Sequence, residues 1–221
     1  MSTLDSLLSD IEDPAQPFVT YYDAATGERV ELSGTTTANW VAKTSNFLID
    51  SLDAEVGIRV RLGLPTHWES LVWILASWNV GAVLTDHEAT IAVVGPELEA
   101  DEETRVALSL KPMGLRFNEA PKGFIDFNAE VLGHSDYFQS FDPPSPGSLA
   151  IDLDSNRLTH SETYASGHPR ADRVLLEPGT LARDCAVLIS ACRGSGSIVI
   201  AANADSTQLE KIAADERASA L

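Results

Sequence analysis

The sequence predicts an α/β fold of layered, mainly parallel sheets flanked by helices, and three observations carry that reading. Short β-branched runs alternate with segments of helical period at the spacing of βα units. The 221 residues are 44% hydrophobic and 22% charged, enough for a large buried core. A Pro-rich break at residues 141–147, with Pro143, Pro144 and Pro146, divides the chain into two α/β lobes, 1–142 and 143–221, that can share one core.

Residues 2–17 read as a short helix and a lead-in. Residues 18–22 and 29–32 read as strands around the turn Asp23-Ala24-Ala25-Thr26-Gly27. Residues 35–52 read as a helix, because Trp40, Val41, Thr44, Phe47, Leu48 and Leu52 recur at helical spacing. Residues 58–64 alternate apolar side chains with Arg59, Arg61 and Gly63, the period of a strand with one buried face. The next helix opens at Thr66-His67-Trp68-Glu69, a capping box in which Thr66 bonds the Glu69 amide and Glu69 returns the bond. Trp68, Leu71, Val72, Leu75 and Trp78 form its apolar stripe, and Gly81 stops it. Residues 90–94 read as a strand, 97–103 as a solvated acidic loop or helix start, 105–110 as a strand, and 124–138 as partly helical. After the Pro-rich break, 148–153, 173–176 and 197–202 read as strands, and 159–167, 180–192 and 206–218 as helices.

The net charge is −18, from 33 acidic side chains against 15 Lys and Arg. Such a chain repels phosphate backbones and anionic lipid, so nucleic acid and membrane are not expected partners. Two cysteines, Cys185 and Cys192, cannot make a disulfide framework or a four-cysteine zinc site. Residues 1–14 carry acids and no base, the opposite of a secretory or mitochondrial signal, so a reducing cytoplasm is the expected location. The longest apolar stretch, 71–84, is interrupted by Ser77, Asn79 and Gly81, so no transmembrane span is expected.

Several patterns carry a chemical reading beside a structural one. Ser33-Gly34-Thr35-Thr36-Thr37 follows a strand and opens a helix, the order of a phosphate cradle, but it has one glycine and no adjacent lysine. Helix capping is the stronger reading. Gly194-Ser195-Gly196-Ser197 follows a helix and precedes a strand, the reverse of a dinucleotide loop, and reads as a helix stop. His67, His87, His134, His160 and His168 never pair at ligand spacing, so no metal site is expected. No G-x-S-x-G elbow is present, and Ser195, the nearest approach, lacks the spacing. Cys185 and Cys192 lie seven apart on one apolar helix face and read as core thiols, and the Trp68/Trp78 stripe reads as core.

The order of these blocks resembles the adenylate-forming superfamily, the AMP-binding enzymes that include acyl-CoA synthetases, luciferases and peptide-synthetase adenylation domains. Residues 31–52 resemble the family's early "lT-Y-x-E-L…A-x-x-L" helix. Gly57-Ile58-Arg59-Val60-Arg61-Leu62-Gly63-Leu64-Pro65 looks like its "G-D-x-V-a-i-x-l-p-N" strand, and Ala76-Ser77-Trp78-Asn79-Val80-Gly81-Ala82-Val83 like the end of "A-x-l-A-x-x-k-a-G-A-v". Leu158-Thr159-His160 resembles the "T-H" that opens a family helix. Asp172-Arg173-Val174-Leu175 resembles "g-D-r-v-L", and residues 191–200 resemble "p-L-x-x-G-g-x-v-V". A group of short, uncharacterised actinobacterial proteins that look like the front part of these ligases is a closer likeness. The resemblance implies the fold of the large N-terminal domain of acyl-CoA synthetases.

It does not imply the reaction. The family's phosphate loop, rich in Ser, Thr and Gly and ending in P-K-G, belongs immediately before the "T-H" helix. Ala150-Ile151-Asp152-Leu153-Asp154-Ser155-Asn156-Arg157 stands there instead, with no glycine, no lysine and two acids that repel a triphosphate. The sequence ends at Leu221, before the family's adenine and ribose motifs and its C-terminal domain, so the chain reads as a truncated homologue. No catalytic, cofactor-binding or metal-binding residue is carried over, and no cofactor is expected. The expected function is a non-catalytic ligand-binding or interaction module that lacks the phosphate loop. Two alternatives stand beside it: a half-enzyme of an AMP-forming ligase completed by a partner subunit, and a small cytoplasmic hydrolase. A homodimer, an unknown protein partner, and an acyl or carboxylate ligand near the strand ends are the expected partners.

Overall fold

The computed structural model describes residues 2–154 and 156–221. In chain order its strands and helices begin with β1 (Pro17–Asp23), β2 (Glu28–Ser33), α1 (Gly34–Leu52), β3 (Arg59–Gly63), α2 (Trp68–Asn79), β4 (Val83–Thr85), β5 (Ile91–Val94) and β6 (Thr104–Ala107). Then come β7 (Ile125–Asp126), α3 (Phe127–Glu130), β8 (Leu149–Leu153), β9 (Asn156–Thr159), α4 (His160–Ser166), β10 (Arg173–Leu176), α5 (Leu181–Gly194), β11 (Ser197–Ala202), α6 (Ser206–Glu216) and β12 (Ser219–Ala220). A 3₁₀ turn at Leu4–Asp10 precedes β1. Among the described residues no helix is long and apolar enough to cross a membrane.

The strands form two sheets, one in each of two compact units. Unit 1 takes Met1–Ser6, Asn39–Leu64 and Val72–Ala165; unit 2 takes Leu7–Ala38, Pro65–Leu71 and Ser166–Leu221. The bounds of these units differ from those of the lobes 1–142 and 143–221 read from the sequence. Residues 143–165 stay with unit 1 because β8 pairs with β4, and β1 belongs to unit 2 because it pairs with β11. Parallel neighbours need long crossover connections, so one cut in the chain cannot separate the sheets.

Unit 1 carries the order β7-β6-β5-β3-β4-β8-β9, parallel except for the β8–β9 hairpin. The central strands read as apolar runs because both faces are covered: Ile91, Ala92, Val93 and Val94 are all buried. Phe47 of α1, Trp73 of α2 and Phe127 of α3 make one aromatic cluster, with ring centroids 5.5 Å apart for Phe47–Phe127 and 5.0 Å for Trp73–Phe127.

Unit 2 carries the order β12-β10-β11-β1-β2, parallel except for the β1–β2 hairpin. Helix α5 buries Cys185, Leu188, Ile189 and Cys192, the face that its sequence period predicts. Leu175, Val199 and Ala201 form a second cluster with Leu209, Ile212 and Ala213 of α6. Thr180 caps α5 by accepting from the Arg183 amide, and Asp205 with Gln208 closes α6 in a full capping box.

The start of α2 differs from the capping box expected there. The Thr66 hydroxyl donates to buried Asp184 at 2.7 Å and accepts from the Gly179 amide at 3.0 Å, so it is engaged elsewhere. His67 and Ser70 cap the helix instead. Ser70 Oγ accepts from the His67 amide at 3.0 Å, and His67 Nδ1 accepts from the Glu69 amide at 3.2 Å. A long-range partner with a buried carboxylate outcompetes the local bond, because an unsatisfied buried charge costs more than a changed cap. Strands β4, β9 and β12 were too short to show a period, and they form by pairing.

Candidate functional site

Residues 149–159, where the sequence resemblance looks for a phosphate loop, form a closed hairpin. β8 and β9 pair antiparallel from Leu149 opposite Thr159 to Leu153 opposite Asn156, which leaves two residues between the strands. Ser155, one of them, lies outside the described residues. The hairpin sets Asp152, which is buried, against Arg59: both terminal guanidinium nitrogens donate to one carboxylate oxygen at 3.0 Å. Arg59 also donates to Thr85 Oγ1 at 2.7 Å and to the His87 carbonyl at 3.1 Å. Asp86 accepts from the Asp154 amide at 3.0 Å. Arg61, two residues along β3, is held by Glu102 at 2.9 Å and by the Glu99 carbonyl at 3.2 Å. Arg61 pulls the Glu102 carboxyl down to about 2. Both guanidinium groups are thereby matched by local acids.

The start of α4 is closed as well. The Glu162 carboxylate accepts from the Thr159 amide at 2.9 Å and from its hydroxyl at 2.8 Å. Thr159 Oγ1 accepts from the Glu162 amide at 3.3 Å. The protein's own carboxylate thus occupies the helix start, where amides and dipole would otherwise attract an anion.

Unit 1 also holds an open cleft of about 490 Å³. Ile49, Ala54, Val56, Val80, Phe138 and Phe141 supply its apolar lining; Asn46, Asp50, Glu55, Gln139, Ser140 and Asp142 supply the polar lining. Three carboxylates line it and no Lys or Arg does. Segment 134–137 is tied to α1: Asn46 Nδ2 donates to the carbonyls of Ser135 and Tyr137 at 2.9 and 3.0 Å, and Lys43 Nζ donates to the His134 carbonyl at 2.5 Å. His134 Nδ1 lies 3.5 Å from Asp50. The volume suits a small molecule or a short peptide loop. The lining favours an apolar group carrying positive charge and disfavours an anion.

The motifs singled out from the sequence take structural places. Ser33 Oγ accepts from the Thr36 amide at 3.1 Å, Thr37 Oγ1 donates to the Ser33 carbonyl at 2.9 Å, and the amides of Gly34 and Thr35 donate to the carbonyls of Gln16 and Pro14. That string is a helix cap. Ser195 ends α5 in the left-handed conformation, φ 54°, accepts from the Glu12 amide at 3.1 Å and donates to the Asp10 carbonyl at 3.3 Å. Gly194 and Gly196 lie against the Arg170 backbone, where a Cβ would collide. Trp68 and Trp78 are buried core, and so are Cys185 and Cys192, whose thiol pKa values burial pushes up. His67 is buried with its ring edge-on to Tyr21 at 4.3 Å, and burial takes its pKa down to about 4. Its ring is therefore neutral, and the 3.7 Å approach of Glu69 is no ion pair. His160, also buried, accepts from the Leu4 amide at 3.3 Å, and burial lowers it to about 4. His87 stands in the Arg59 cluster and His134 beside the cleft. Among the described residues no three His, Cys, Asp or Glu gather as a metal would require. Sequence reasoning missed the cleft. Its signal was the coincidence of unpaired Phe138 and Phe141 with the acids of 50–55.

No family model matches the chain. It is 34% identical over 220 residues to a TIGR03089 family protein of Mycobacterium tuberculosis, covering 93% of this chain and 90% of that one. In fold it is similar to a Brucella canis acyl-CoA synthetase, with TM-score 0.79 and 12% identity over 99% of this chain and 46% of the other. It is also similar to a fatty acyl CoA synthetase of Mycobacterium tuberculosis, with TM-score 0.74 and 11% identity over 98% and 48%. A third likeness is the N-terminal domain of FACL13 from Mycobacterium tuberculosis, with TM-score 0.72 and 13% identity over 99% and 62%. The chain thus spans about half the length of the two acyl-CoA synthetases.

Proposed function

The chain belongs to the TIGR03089 family and has the fold of acyl-CoA synthetase N-terminal domains, and from that premise we propose that it is a non-catalytic binding or interaction module of the cytoplasm. The observation that carries the reading is the closed β8–β9 hairpin followed by the self-capped start of α4. A triphosphate needs free amides and a mobile cation. Here the Thr159 amide donates to Glu162, the His160 and Ser161 amides to the Ser148 and Pro146 carbonyls, and the Asp154 amide to Asp86; Arg59 is tied to Asp152, and Asp86, Asp152 and Asp154 add like charge. The cleft in unit 1 is the candidate binding surface. A free carboxylate matches it poorly, because Asp50, Glu55 and Asp142 would face it without a counter-cation.

The test is a thermal-shift series with Mg-ATP, AMP, acyl-CoAs and free carboxylates. A ligand at 100 times its dissociation constant stabilises by about 2.7 kcal/mol, a readable change in Tm. No shift with nucleotide is expected. A clear shift with ATP or AMP would overturn the reading and favour a half-enzyme completed by a partner subunit. The hydrolase alternative has no support in the engaged hydroxyl of Ser195 or the buried thiol of Cys192.

A further inference from the structure

Eight large apolar side chains are exposed among the described residues, Ile49 and Val56 only by about a third, and five of the eight gather at two places in unit 1. Ile49, Val56 and Phe141 line the cleft. Met113, 79% exposed, and Leu115, 62% exposed, stand on the loop after β6. That loop is built rather than slack. Ser109 Oγ donates to the Leu115 carbonyl and accepts from the Lys111 amide, Lys111 and Leu115 form a bridge, and Lys111 Nζ donates to Asn118 Oδ1 at 2.9 Å. Leu110 and Met113 hold positive φ values of 50° and 60°, a conformation that side-chain-bearing residues adopt at a cost. The fold holds Met113 there without burying it.

The two places are opposite in charge. Residues 111–122 carry Lys111, Arg116 and Lys122 against Glu119 alone, a local excess of base in a chain of net charge −18. Residues 46–56 and 138–142 carry Asp50, Asp53, Glu55 and Asp142 and no Lys or Arg. Each surface is therefore apolar at its centre and charged at its flanks, with the signs reversed. Repulsion between two whole chains is screened over about 8 Å at physiological ionic strength, whereas facing groups about 4 Å apart lie inside that length.

We propose that the cleft of one copy receives the Met113 loop of a second copy. The inference rests on the reading of the chain as an interaction module and names the occupant of its cleft. About a two-fold axis each copy gives one loop and one cleft, so the pair closes on itself with two identical contacts.

Sedimentation velocity of the full chain over a concentration series, at about 0.15 M salt, tests it. A reversible dimer is expected. Met113→Glu and Phe141→Glu remove exposed side chains, so each should leave Tm unchanged and weaken the dimer about tenfold or more. Arg116→Glu alone and Glu55→Lys alone should weaken it too, and mixing those two variants should restore a heterodimer, because each then offers the charge that the other lacks. A monomer throughout the series would overturn the proposal, and so would a dimer indifferent to all four variants. Either result, with no nucleotide shift, would leave the non-catalytic reading intact. A nucleotide shift would remove that reading whatever the dimer measurement gave.

Discussion

Acidification from pH 8 to pH 5 should remove about 4 kcal/mol of folding stability through His67 and His160. Burial lowers both imidazoles to about 4, against an ordinary value of 6.5. The folded pKa lies below the unfolded one, so the unfolded chain takes up protons first. The stabilising contribution is complete above pH 6.5, falls as pH drops towards 4, and is flat below that. The slope inside the window is about 1.4 kcal/mol per pH unit per histidine, which integrates to about 2 kcal/mol each at pH 5. Asp184 acts in the opposite sense, because burial raises its carboxyl and protonation relieves it. The histidine loss is a large part of the roughly 5–15 kcal/mol that a folded domain commands. Urea unfolding followed by tryptophan fluorescence at pH 8, 7, 6 and 5, at constant ionic strength, reads it directly. His67→Asn and His160→Asn should each halve the fall. A stability that stays level from pH 8 to pH 5, with an unchanged urea slope, would refute the reasoning.

Three more outcomes follow from the packing. Thr66→Val leaves buried Asp184 without its 2.7 Å donor and should cost about 2 kcal/mol in urea unfolding, while Thr66→Ser should retain most of that. Trp73→Ala opens a cavity between Phe47 and Phe127 and should cost about 3–5 kcal/mol, read as a lower Tm. Gly194→Ala drives a methyl group into the Arg170 backbone and should cost more than about 2 kcal/mol, whereas Gly133→Ala, which meets nothing, should be neutral within about 0.5 kcal/mol by the same assay.

Most of the fold was legible because its elements carry their own period. Strands β10 and β11 lie where their apolar runs begin and end, and α5 buries the face that Cys185, Leu188 and Cys192 mark out. What failed was whatever depended on partners far along the chain. The two units could not be found by cutting at the prolines, since β8 joins β4 and β1 joins β11. Thr66 has the letters of a cap and the surroundings of a buried hydrogen-bond donor. The hairpin of β8 and β9 was only half legible, since β8 has an apolar run and β9 does not. The Thr159–Glu162 cap stands in the sequence as T-x-x-E. The cleft was illegible because its lining comes from α1, from residues 54–56 and from residues 138–142, and no single segment shows it.

The pairing of β1 with β11 sets a timetable for synthesis. Val19 lies opposite Ile198, so about 180 residues leave the ribosome between the two halves of that contact. At about 5–20 residues per second the wait is on the order of 10–40 s. Until β11 arrives β1 has only β2 to pair with, and a two-stranded ribbon is at best marginally stable in water. The ribbon has one edge that must be left unsatisfied until β11 arrives. Its other edge, β2, carries Glu28, Arg29 and Glu31, charges that discourage pairing with a neighbouring nascent chain. The charged edge protects only one side, so the exposed side of β1 is where translation speed and chaperone access should govern the yield of folded protein.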